Sequence, residues 1–130
     1  MSYSIVSIDS QQYIFVSHIG TIYRRELDEA WRGALGELQE KNWHRFLVDI
    51  RAMMNFIPAS EMYDFISCLR ESLPKKIVIA LIVRTDQRGD GRFIENVARN
   101  RGINLQHFFN MQPALSWLTS EEKTLLQAKK

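Results

Sequence analysis

The chain is predicted to fold as one α/β domain, a mixed five-stranded sheet with four helices. A leading antiparallel hairpin should open the sheet and parallel crossovers continue it. Three observations predict this. Ile77 to Val83 form an unbroken apolar run, rich in β-branched types and fenced by Lys75, Lys76 and Arg84. Such a run reads as an interior parallel strand covered on both faces, because half-exposed antiparallel strands alternate instead. Amphipathic helical segments flank it in sequence, and two β-prone stretches stand close together at the N-terminus.

Taken in order, Tyr3 to Ile8 and Tyr13 to His18 are the hairpin strands, with the polar Asp9-Ser10-Gln11-Gln12 as the turn. From Thr21 the period changes: Leu27, Ala30, Trp31, Ala34, Leu35 and Leu38 recur at three- and four-residue steps. They make the apolar stripe of a long helix, with Arg24, Arg25, Glu29, Arg32 and Glu40 on the wet side. His44 to Arg51 is the third strand. A second helix carries Met62, Phe65, Ile66, Leu69 and Leu73, and Pro74 stops it. After the central strand, Thr85 to Arg92 reads as a polar, glycine-rich loop, with Asp90 capping a third helix that buries Phe93, Ile94, Val97 and Ala98. Gly102 stands where a left-handed helix end is expected. Ile103 to Phe109 is the fifth strand, and Asn110 caps a last helix that turns Ala114, Trp117 and Leu118 inward. Residues 1–120 thus form the domain, and 121–130 are expected to be a loosely attached tail.

The bulk numbers narrow the classes of function. A chain of 130 residues suits one domain and buries roughly two-thirds of its unfolded surface. An apolar fraction of 45% with 25% charged residues is that of an ordinary globular protein. A net charge of +2, with no basic cluster interleaved with aromatics, argues against a nucleic-acid partner. No apolar run approaches the ~20 residues of a membrane span, and no secretory signal opens the chain. A single cysteine, Cys68, fits a reducing cytosol, so a cytoplasmic protein is expected.

No catalytic constellation emerges. The histidines His18, His44 and His107 are scattered without metal-ligand spacing, and partly exposed positions at strand ends suit the first two. Cys68 reads as a packed thiol beside the second helix's apolar stripe. No metal and no cofactor are expected. In an open α/β sheet, ligands gather at the carboxyl ends of parallel strands. Asp49 and Arg51 end the third strand, Arg84, Thr85 and Asp86 end the fourth, and Arg88 follows in the glycine-rich loop. These form a candidate rim for a ligand or a partner, and a rim of ion pairs positioning loops is the structural alternative. Met53, Met54, Phe56 and Ile57 make an apolar loop beside it. Methionine-rich surface adapts to partners, so Met53 and Phe56 join the candidate set. Solvent exposure of either favours docking; full burial removes the motive.

The element order, the strand ending in Leu47-Val48-Asp49-Ile50-Arg51 and the terminal Ala114-Leu115-Ser116-Trp117-Leu118 together resemble the STAS superfamily of sulfate-transporter and anti-sigma-factor-antagonist domains. The likeness runs over about residues 3 to 119, and the SpoIIAA-like branch of small bacterial proteins is the nearer match. In the antagonists, the loop after the third strand reads Phe-x-Asp-Ser-Ser-Gly, and a partner kinase phosphorylates its second serine. Here that stretch is Phe56-Ile57-Pro58-Ala59-Ser60-Glu61. The resemblance therefore implies Ser60 as phosphoacceptor, although Pro58, Ala59 and Glu61 replace the aspartate, first serine and glycine. It also implies a non-catalytic regulatory module that binds another protein through the loop and helix around Ser60. The alternative is a binder of a small lipid or anionic metabolite, since the superfamily has distant lipid-binding relatives. A homodimer through a strand edge or the second helix is a further expectation.

Overall fold

A computed structural model describes the backbone of residues 3–128 and the side chains of residues 3–120. Its strands are β1 (Tyr3–Ile8), β2 (Tyr13–Gly20), β3 (Arg45–Met53), β4 (Val78–Ile82) and β5 (Asn104–Phe108). The helices are α1 (Arg24–Lys41), α2 (Ala59–Ser72), α3 (Arg88–Asn100) and α4 (Met111–Ala128). Sheet order follows the chain, β1-β2-β3-β4-β5, with β1 antiparallel to β2 and every later pair parallel. This is the mixed five-stranded α/β sheet that the apolar patterning foretold.

Order dictates layering. Each parallel crossover steps one place in the same direction, so right-handed connections put α1, α2 and α3 on a single face. There Val16, Val48, Ile50, Ile79 and Leu81 meet Trp31, Met62, Phe65 and Ile94 in the larger core. Only α4, free of any crossover, can cover the other face. Its Ala114 and Leu118 pack on Leu47, Val78, Ala80 and Ile82. Consequently all of β4 is buried, between parallel neighbours on both sides.

Helix ends obey local chemistry. Asn42 closes α1 in the left-handed region (φ 57°), its amide reaching the carbonyls of Gln39 and Leu38. After α3, Gly102 takes φ 79°, and the Ile103 amide donates to the Ala98 carbonyl at 2.9 Å, the expected left-handed finish.

The segment after β4 differs from expectation. Thr85–Gln87 is a short 3-10 turn and α3 starts at Arg88, so Gly89, Asp90 and Gly91 are helical and Asp90 is no cap. The reason is packing rather than turn-making. A Cβ on Gly91 would stand 3.2 Å from the His107 ring and 3.3 Å from Val83, so glycine lets α3 lie close on the sheet. The expected tail at 121–130 lies outside the residues whose side chains are described. Among the described residues, no helix is long and apolar enough to cross a membrane.

Candidate functional site

The loops after β2, β3 and β4 emerge together at the carboxyl end of the sheet, and side chains fasten them to one another. Asn55 braces the first two: its Oδ1 accepts the Ile22 amide at 2.7 Å and its Nδ2 donates to the Ile22 carbonyl at 2.9 Å. Arg84 clamps the next pair. Its Nη1 donates to the carbonyls of Arg51 and Met53, the latter at 2.9 Å, while its Nε meets Asp86 Oδ1 at 2.9 Å. Gln87, buried, completes the join by accepting the Arg84 amide at 2.8 Å and donating to the Ile50 carbonyl at 3.1 Å.

The charges of this rim are used locally. Arg51 forms a two-pronged pair with Asp49, Nε to Oδ1 at 3.0 Å and Nη2 to Oδ2 at 2.9 Å. That hydrogen bond outweighs partial burial and raises the guanidinium's pKa. The bond from Arg84 likewise holds the exposed Asp86 carboxyl below its ordinary range. Asp90, by contrast, is pushed up by burial and then by the neighbouring Asp86 charge. Thr85 is exposed, and the Arg88 guanidinium lies 5.6 Å from the centroid of Phe109. Between Phe56, Met54, Arg84 and Asp90 remains an open depression of about 140 Å³. Chemically, this rim sets the shape of three loops; Arg51 holds a carboxylate, and Arg84 a carboxylate and two carbonyls.

The apolar loop divides. Met53 and Ile57 are buried in the core, Phe56 is half-buried against it, and Met54 is 80% exposed. For Met53 the docking motive is therefore gone, because its place in β3 turns it under α2. Ser60 is exposed in the first turn of α2, which Pro58 precedes without a side-chain cap. Tyr23, 65% exposed, stands at the start of α1, next in sequence to Arg24. The two helix starts are joined by Arg24, which contacts Asp28, Asp64 Oδ2 at 3.0 Å and the Glu61 carbonyl at 3.2 Å.

Two residues lie elsewhere than the sequence reading put them. His18 is buried, 1% exposed, with neither ring nitrogen hydrogen-bonded. Burial pulls its pKa down from 6.5 to about 4, against a smaller upward pull from Glu26. It lines an apolar cavity of about 60 Å³ with Leu27, Met53, Phe56 and Met62. The signal was present as parity: Ile14, Val16 and His18 alternate on the inward side of β2. Cys68 is exposed, not packed, in a shallow groove between α1 and α2 that Arg32 and Gln39 also line. It sits two residues past Ile66, and that step turns it off the buried stripe. Among the described residues, no group of three or more His, Cys, Asp or Glu could hold a metal ion.

No family model matches this chain, and no curated protein matches it by sequence. Solved structures do. An anti-sigma factor antagonist from Mycobacterium paratuberculosis superposes with a TM-score of 0.59 at 18% identity, over 90% of this chain and 94% of that one. An uncharacterised protein with a SpoIIAA-like fold from Shewanella loihica gives a TM-score of 0.59 at 14% identity, over 89% of this chain and 91% of that one. The chain has the SpoIIAA-like fold.

Proposed function

We propose that this chain is a non-catalytic regulatory module that binds another protein through the end of the molecule holding Met54, Tyr23 and the first turn of α2. The observation that carries the reading is Met54, a large apolar side chain 80% exposed on a loop whose neighbours are pinned. Loop and helix starts are held by Asn55, Arg84 and Arg24, so a partner meets a preformed surface and loses little ordering entropy. The likeness to an anti-sigma factor antagonist supports a regulatory role of this kind.

Ser60 is the phosphoacceptor in this reading. A phosphate there gains from the helix N-terminus, whose first amides lack partners within the helix, and is opposed by the adjacent Glu61 charge. Asp49, Arg51, Arg84, Thr85, Asp86 and Arg88 act as the scaffold beside this surface. The test is site-specific photocrosslinking in the native cell. A photoreactive residue at Met54 should yield a discrete covalent adduct with another protein, and one at the exposed Gln112 on α4 should not. Equal labelling at both positions, or none at Met54, defeats the reading.

A small-ligand role ranks second. Its support is His18, which lines an apolar cavity and whose ring nitrogens are unpaired. At about 60 Å³ that cavity is well short of the roughly 300 Å³ at which ligand pockets begin.

A further inference from the structure

We propose that the outer edge of β1 receives an extended basic segment of a partner protein as a sixth strand. This surface is separate from the one around Met54 and does not depend on it. The two edges of the sheet differ. At β5 the outward main chain is already occupied from α3: Arg99 Nε donates to the Leu105 carbonyl at 2.9 Å, and Glu95 Oε1 accepts the His107 amide at 2.8 Å. An approaching strand must displace both. At β1, no side chain among the described residues is bonded to the outward main chain. The strand Tyr3-Ser4-Ile5-Val6-Ser7-Ile8 carries no charge and no proline, and its pairing with β2 has no bulge. Those are the devices by which edges are usually protected.

What lies on either side of this edge selects the occupant. The Ile5 side chain packs on Gly33 of α1, and Ser7 Oγ donates to Glu37 Oε2 at 3.1 Å. Four helical residues rise about 6 Å and two strand residues about 7 Å, so α1 runs in step beside β1. Glu26, Glu29 and Glu40 share that flank with Gly33 and Glu37 by three- and four-residue spacing. Glu29 and Glu40, both exposed, stand level with the two ends of β1. Most cations of α1 are turned elsewhere: Arg24 and Arg32 face α2, and Lys41 lies over Trp43. Arg25, one turn before Glu29, is the exception, so four glutamates on this flank stand against one arginine. On the opposite face α4 covers β3 to β5, leaving Val6 46% and Ile19 54% exposed.

A strand seated here thus meets glutamates on one face and apolar surface on the other. The matching segment alternates Lys or Arg with apolar residues, main-chain bonds supplying affinity and charge supplying selectivity. A second copy of this chain suits the edge poorly, since two-fold pairing of β1 sets one glutamate flank against its duplicate.

The experiment titrates the whole protein with a capped Lys-Val repeat of about eight residues, long enough to span β1. The readouts are calorimetry and amide exchange. The expected result is binding at low salt, with exchange slowed in Tyr3–Ile8 and not in β5. Affinity should fall about tenfold in Glu29→Lys/Glu40→Lys, which should instead take up the Glu-Val repeat. Weakening by added salt in the unaltered protein supplies the same test without a variant. Four results overturn the proposal: no binding, binding indifferent to salt and charge reversal, protection elsewhere, or concentration-dependent protection of β1 without peptide, which identifies a second copy.

Discussion

Replacing His18 with phenylalanine should flatten the acid side of this protein's stability curve. In the folded chain the imidazole titrates at about 4, against 6.5 when solvated, because burial penalises the cation more than Glu26 favours it. Between those values the unfolded chain takes up a proton that the folded chain refuses. Stability therefore declines as pH drops below 6.5, and the decline is complete near pH 4. Two and a half pH units at 1.36 kcal/mol each give about 3 kcal/mol in total, of which about 2 kcal/mol is gone by pH 5. At neutral pH the histidine still costs something, since two buried ring nitrogens lack partners; removing them should return about 1 kcal/mol. The adjoining cavity of about 60 Å³ makes room for the larger ring. Urea unfolding at pH 7.5 and pH 5, followed by tryptophan fluorescence, measures both effects. The variant should exceed the parent by about 1 kcal/mol at pH 7.5 and about 3 kcal/mol at pH 5. Parallel losses in both proteins, or a His18 proton resonance titrating near 6.5 in the folded state, refute the reasoning.

Other consequences are open to simpler measurements. Ile79→Ala empties a fully enclosed position on β4 and should cost 2–5 kcal/mol on the usual scale of core truncations (roughly), read from the urea midpoint; a loss below about 1 kcal/mol would contradict the two-sided cover. Gln87→Leu strips the Ile50 carbonyl and the Arg84 amide of their buried partner, so unfolding free energy should drop by about 2 kcal/mol. Native protein should react with a bulky thiol reagent at Cys68 without denaturant, and a reaction that waits for unfolding would show the groove between α1 and α2 to be closed.

Sequence alone determined the elements of this protein and the cover on both faces of its central strand. A short apolar run with no alternation, rich in β-branched residues and fenced by charges, reads as an interior strand, and a stripe at three- and four-residue steps buries one side of a helix. From these, with crossover helices, a mixed sheet follows; which face each helix covers waited on the strand order β1-β2-β3-β4-β5. The terminal Ala114 and Leu118 likewise announced an inward face. Polar residues were less legible because their surroundings come from distant parts of the chain. His18 looked like a strand-end residue until α1 and α2 closed over it, and Cys68 looked packed until the helix's rotation was known. Gly89 and Gly91 read as a loop, yet the contact with His107 and Val83 makes one of them a helix-packing residue. The rim left a ligand or partner site and a set of loop-positioning ion pairs both open in the sequence; Arg51 and Arg84 pair with carboxylates two residues away, and folding added the carbonyls of Arg51 and Met53 to the hold of Arg84. Tertiary structure alone decided which sheet edge is closed, since the side chains that seal β5 reach it only when the preceding helix, α3, folds back along that edge. Periodicity reports how a residue faces its own element; which groups stand opposite it depends on how the elements pack on one another.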